Sequence, residues 1–133
     1  MWFYKDKEVT DNDVAGHTAF VYIITNLKSG KKYIGKKNLS FYRRKHVKGK
    51  TRRKKVTTES DWRSYFGSSK SLLDDVASLG EENFRREILH FCKTRGTASY
   101  LELKEQIIQN ALESDDFYNE WVRVRIHKSH IKL

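Results

Sequence analysis

The chain has 133 residues, 13% of them aromatic, and a formal net charge of +10 from 27 Lys and Arg against 17 Asp and Glu. This suits one compact domain with a modest core rather than a disordered chain. No apolar run approaches the roughly 18 residues of a membrane helix, and MWFYKDKEVTDND lacks the pattern of a signal peptide, so a soluble, cytoplasmic protein is expected. The single cysteine, Cys92, excludes an intramolecular disulfide framework and a multi-cysteine zinc cage.

Residues 1–18 are aromatic, then polar and acidic, with no clear period, and read as an irregular arm. Ala19 to Thr25 is rich in β-branched and aromatic residues and reads as a buried strand. Turn chemistry at 26–30 then leads into a short second strand, Lys31 to Gly35, completing a hairpin. Residues 36–60 read as a long basic loop, tied back to the core by Trp62, Tyr65 and Phe66. Ser69 to Leu79 is helical, with Leu72, Leu73, Val76 and Leu79 on one face and Gly80 as a stop. Asn83 to Cys92 reads as a third strand. Thr97 to Leu112 gives the best helix, with Leu101, Ile107, Ile108, Ala111 and Leu112 on apolar positions. The tail from Phe117 alternates and fits strand or helix; Trp121 within it reads as core. A single domain follows, with its core over residues 19–121 and a C-terminal tail over 122–133.

The charge is unevenly spread. No acidic residue occurs from Lys28 to Thr58, which carries more than half of the basic side chains. Ordinary solvated faces mix both signs. An unbroken cationic stretch favours a polyanion, with Lys36, Lys37, Lys45, Lys48, Lys50, Arg52, Arg53, Lys54 and Lys55 as candidate phosphate contacts. The segment lacks the amphipathic stripe of a membrane-surface helix.

Two tyrosines lie within the hairpin, in VYIITNLKSGKKYIGKK. Side chains alternate across a strand, so Tyr22 and Tyr33 share a face if Tyr22 pairs with Tyr33 or Gly35, and are split if it pairs with Ile34. Two hydroxyls on one face can hold a water and a phosphate oxygen together. A phenol with a pKa of about 10 is a poor base unless cations lower it, a bias that Lys36, Lys37 and a bound metal would supply.

This hairpin resembles the paired motif of the GIY-YIG nucleases, with Phe20-Val21-Tyr22 in place of Gly-Ile-Tyr and Tyr33-Ile34-Gly35 as the second element. The likeness runs on through SDWRSYFGSSKSLLDDVASLGEENFRREIL, SYLELKEQII and Tyr118-Asn119, and resembles the phage-encoded branch that includes the Seg-type homing endonucleases. It implies an α/β (α+β) domain with a small, mainly antiparallel three-stranded sheet flanked by helices. It also implies a DNA endonuclease using one divalent metal, Mg²⁺ or Mn²⁺, and, if phage-encoded, residence in the host cytoplasm.

In that family a helical carboxylate holds the metal, and the resemblance favours Glu102, with Glu105 as the alternative; Ser99-x-x-Glu102 also fits a capping box. The family's arginine falls at Arg43, with Arg44 and Arg63 as rivals, and its nearby His or Tyr is best matched by His46 as a general acid. Gly35 and Asn119 take structural roles, Asn119 bracing the catalytic helix. His17, His90, His127 and His130 show no ligand spacing, and Cys92 reads as packing at a strand end. A second reading, a non-catalytic DNA- or RNA-binding protein on the same fold, needs no carboxylate. The chain is short for a separate DNA-recognition module, so loose or structural specificity, for flaps or junctions, is expected.

Overall fold

In the computed structural model, residues 1–49, 52 and 54–133 are described, with the backbone alone at 42–45, 54 and 55. Lys50 and Arg53, two of the candidate phosphate contacts, lie outside the described residues.

The sheet has five strands, not three, in the order β2-β1-β7-β3-β4. Its centre is the expected hairpin: β3 (Ala19–Asn26) and β4 (Lys32–Asn38) pair antiparallel, and β3 pairs antiparallel with β7 (Phe84–Cys92) on its other side. Residues 1–18 correct the reading of an irregular arm. β1 (Trp2–Tyr4) adds parallel to β7, and β2 (Lys7–Glu8) folds back on β1, followed by the short helix α1 (Asp11–Val14). The turn between them, Lys5-Asp6, has positive φ at both residues, a conformation usually announced by Asn or Gly. A three-residue strand whose partner lies some 80 positions away leaves no local period to read.

Residues 36–60 are also corrected. β4 continues to Asn38, and β5 (Ser40–Lys45) and β6 (Lys54–Glu59) form a separate two-stranded hairpin. Its strands are almost uniformly basic and polar, so the alternation that marks a strand is absent from them.

Each sheet face has its own core. On one, Phe20, Tyr22 and Ile24 pack with Trp2, Trp62, Phe66, Leu72 and Val76; the last two come from α2 (Lys70–Leu79), capped by Ser69. On the other, Val21, Ile23 and Ile34 pack with Ala98, Ala111 and Leu101 of the α3 side. Helix α3 spans Arg95–Ile108, and Thr94 caps it by accepting a hydrogen bond from the Thr97 N–H at 3.1 Å. The capping box at Ser99 and Glu102 is therefore ruled out, because the helix starts a turn earlier. Ile107, Ile108 and Leu112, expected as core, are exposed. Trp121 is also corrected: it is 76% exposed. Cys92 is buried at the end of β7, as expected.

Candidate active site

β4 is the edge of the sheet, and a bare edge presents unpaired N–H and C=O groups that must find partners. Three outward positions are closed in turn. The Lys32 N–H donates to the Asp116 carbonyl at 2.8 Å, and the Tyr118 N–H donates to the Lys32 carbonyl at 2.7 Å. Asn119 clamps Ile34, accepting from its N–H at 3.0 Å and donating to its carbonyl at 2.8 Å. The Lys36 N–H donates to the Glu102 carboxylate. Edge closure thus draws the tail and α3 to one place.

Tyr22 pairs with Gly35, and Tyr33 with Ile24, so both phenols stand on the same face, their ring centroids 6.2 Å apart. The close fit depends on Gly35. A Cβ there would lie 2.4 Å from Tyr22 Oη and 2.6 Å from its Cζ, inside any tolerable contact, and Tyr22 is only 1% exposed. Trp2 and Tyr65 meet the Tyr22 ring edge-on at 5.4 and 5.9 Å. Tyr65 is held in turn by the buried Arg86, which donates to the carbonyls of Arg63 and Tyr65 at 3.0 and 2.8 Å. Tyr33 Oη lies 3.0 Å from Ser68 Oγ.

The charges do not act as the sequence suggested. Burial raises Tyr22 well above the ordinary phenol range, and Tyr65, Tyr33 and Glu102 push the same way. Tyr33 is raised chiefly by burial, with the Ser68 hydrogen bond opposing it and Tyr65 and Glu102 adding to it. Glu102 is raised by burial, with Lys36 opposing. Glu102 raises both phenols and lines the same cleft as Tyr33. Lys36 and Lys37 do not lower the phenols: Lys36 Nζ donates to the Ser99 hydroxyl, and Lys37 is paired with Asp61 at 2.6 Å. Burial dominates, and in the metal-free protein the phenols stay protonated at neutral pH.

Tyr33 and Glu102 line an open cleft of about 460 Å³, together with Ser68, Lys70, Gln106, Tyr118, Asn119, Trp121 and Arg123. Tyr22 sits behind Tyr33, and Glu105 faces elsewhere, 2.9 Å from His90 Nε2 and from Gln109 Nε2. Arg43, Arg44 and Lys45 fall on β5 opposite Val56, Lys55 and Lys54 of β6. His46, Lys48 and Arg52 are exposed beyond the hairpin's strands. Arg63 is occupied by Asp11 at 2.7 Å and Glu59 at 2.8 Å. The sequence reading missed Ser68, Lys70, Trp121 and Arg123 in the cleft, and Tyr65 beside Tyr22. Only the alternation WVRVR hinted at the tail residues, and alternation does not say which side faces a site.

A two-sided core, a tyrosine-bearing hairpin and a helix whose glutamate reaches the hairpin's open edge define a GIY-YIG-type nuclease domain. Residues 2–122 match the family described as "Putative endonuclease segE, GIY-YIG domain", and the chain belongs to that family, on its phage Seg-type branch. It is 34% identical over 100 residues, 75% of its length, to the "Putative endonuclease segE" of Enterobacteria phage T4, and that match spans 39% of the phage protein. No solved structure matches the chain significantly. Among the described residues no helix is long and apolar enough to cross a membrane.

Proposed function

We propose that the chain is a DNA endonuclease that hydrolyses phosphodiester bonds in the cleft between Tyr33 and Glu102, in the cytoplasm of a phage's host cell. The observation that carries this reading is the convergence of Glu102 on both hairpin phenols at a cleft edged by Lys70 and Arg123.

The donor set suits a hard divalent cation such as Mg²⁺ or Mn²⁺. Among the described residues no group of three or more His, Cys, Asp and Glu converges, so Glu102 would hold the ion with most of its other positions left to water and phosphate oxygens; Glu120 is a second carboxylate lining the same cleft. Bound there, the cation would polarise the phosphate and stabilise the leaving oxygen. The Lys36 N–H lies on the Glu102 carboxylate and favours its charged form.

Tyr33 is the phenol that meets solvent in the cleft, and its Oη aligns the attacking water with Ser68 behind it. Tyr22 is buried and fixes the Tyr33 ring and the Gly35 backbone. The water oxygen attacks phosphorus as the P–O bond opposite breaks, the water's proton passing to solvent in the open cleft and the leaving oxygen taking one from it, and the transition-state charge falls to Arg43 or Arg44 of the hairpin and to Arg123 and Lys70 at the rim. Lys48 and Arg52, exposed past the hairpin strands, contact flanking phosphates.

The test is a plasmid-nicking assay with Mg²⁺ or Mn²⁺. Nicking by the native chain, and its loss in Glu102→Ala and Tyr33→Phe with DNA affinity kept, is the expected result. Equal performance of Glu102→Ala would make this a non-catalytic DNA-binding domain.

A further inference from the structure

The cleft carries one feature that phosphodiester hydrolysis does not require. Trp121 is 76% exposed, whereas the other two tryptophans, Trp2 and Trp62, are 3% and 4% exposed. Single exposed apolar residues are ordinary on a protein surface, but this one lines the cleft beside Tyr33 and Glu102. Its position is also set, not loose: Asn119, two residues earlier, is pinned to both polar groups of Ile34. Beyond that anchor the side chains divide. Trp121 and Arg123 line the cleft with Tyr33 and Glu102, while Val122 lines a smaller cavity of about 180 Å³ with Gln106, Ile107 and Leu112. The indole therefore lines the cleft together with the cations Arg123 and Lys70, the latter 3.0 Å from Asp74, and with the acid Glu120.

We infer that Trp121 is a stacking platform for an unpaired nucleobase next to the scissile phosphate, with Arg123 and Lys70 on the adjoining backbone phosphates. This deepens the nuclease reading and rests on its choice of DNA as the ligand. An indole beside two cations matches the two parts of a nucleotide, an apolar base face and an anion, and such stacking is tolerant of sequence. In continuous duplex both faces of every base are covered by neighbours. An indole reaches one only where the stack is interrupted, at a flap, a gap or a junction. Trp121 is thereby a specificity residue selecting DNA structure rather than base order, and it is not a catalytic residue.

The experiment measures binding without divalent cation, so that no cleavage occurs, at one fixed salt concentration. Fluorescently end-labelled duplex and the same duplex carrying a single-stranded flap are titrated with the native chain, Trp121→Ala and Trp121→Phe. Trp121→Ala is expected to lose about tenfold in affinity for the flap and less than twofold for the duplex, with Trp121→Phe recovering most of the loss. With unlabelled oligonucleotide, the acrylamide-accessible tryptophan emission, which comes from Trp121 alone, is quenched by the flap and not by the duplex. Equal losses on both DNAs, or an unchanged flap affinity with no quenching, would overturn the platform and leave the nuclease reading standing. Failure of the native chain to bind any DNA would overturn both.

Discussion

Two glutamates three residues apart on α3 meet opposite fates. Glu105 faces β7; burial alone would raise its pKa, but hydrogen bonds from His90 and Gln109 bring it below the ordinary value. Glu102 faces the β4 edge; burial raises it and only Lys36 opposes. One acid is satisfied by the protein, and the other keeps bonding capacity and electrostatic cost in reserve. Groups left in that condition beside a cleft are where chemistry is to be expected, because a ligand can supply what the fold withholds.

The sharpest way to break the comparison is to neutralise each acid. Glu102→Gln keeps an acceptor for the Lys36 N–H and is expected to lower Mg²⁺-dependent nicking about a thousandfold or more, whereas Glu105→Gln stays within about tenfold. The same pair reports on stability. An acid raised by folding stabilises the native state below its unfolded pKa, and this is lost as pH rises through the folded one. At neutral pH the metal-free Glu102→Gln chain should therefore melt no lower than the native chain, while Glu105→Gln, whose parent pKa is depressed, should melt lower. A lower melting point for Glu102→Gln would mean that the acid is structural.

A smaller effect is expected at Gly35. The added methyl group of Gly35→Ala displaces the Tyr22 phenol and with it Tyr33, costing up to about a hundredfold in nicking rate with duplex affinity unchanged. An unaltered rate would show that the phenols need no fixed geometry.

The smallest effect is in pH dependence. Protons compete for Glu102 up to a higher pH than for an ordinary glutamate, so Mn²⁺ affinity should begin to fall, on acidification, above the usual carboxylate range. Lys36→Met, which removes the opposing cation, should move that limb further up in pH. Isothermal titration across pH checks it, and a downward movement contradicts the assignment of Glu102 as the ligand.

What could be read before folding was local. The β3–β4 hairpin, α2, β7 and most of α3 all carry apolar runs or faces that the order of residues displays. Tyr22 and Tyr33 stood out on that hairpin, and Glu102 through the resemblance to the GIY-YIG family, with Glu105 as its alternative. β1 and the β5–β6 hairpin did not stand out, since one is too short to show a period and the other is polar on both sides. Trp121 was misplaced for a related reason: apolar character predicts burial on average, but this indole follows an anchored asparagine that carries it past the core.

The amino-acid order by itself determined the hairpin, its two tyrosines, the helical acids and a cationic stretch, because each rests on neighbours a few positions apart. Only the tertiary structure decided that Tyr22 pairs with Gly35, that Glu102 rather than Glu105 turns to the cleft, and that the tail delivers Trp121 and Arg123 there. Those outcomes depend on how the edge of β4 finds partners for its free N–H and C=O groups, and Asp116, Tyr118, Asn119 and Glu102 reach that edge only once the sheet exists.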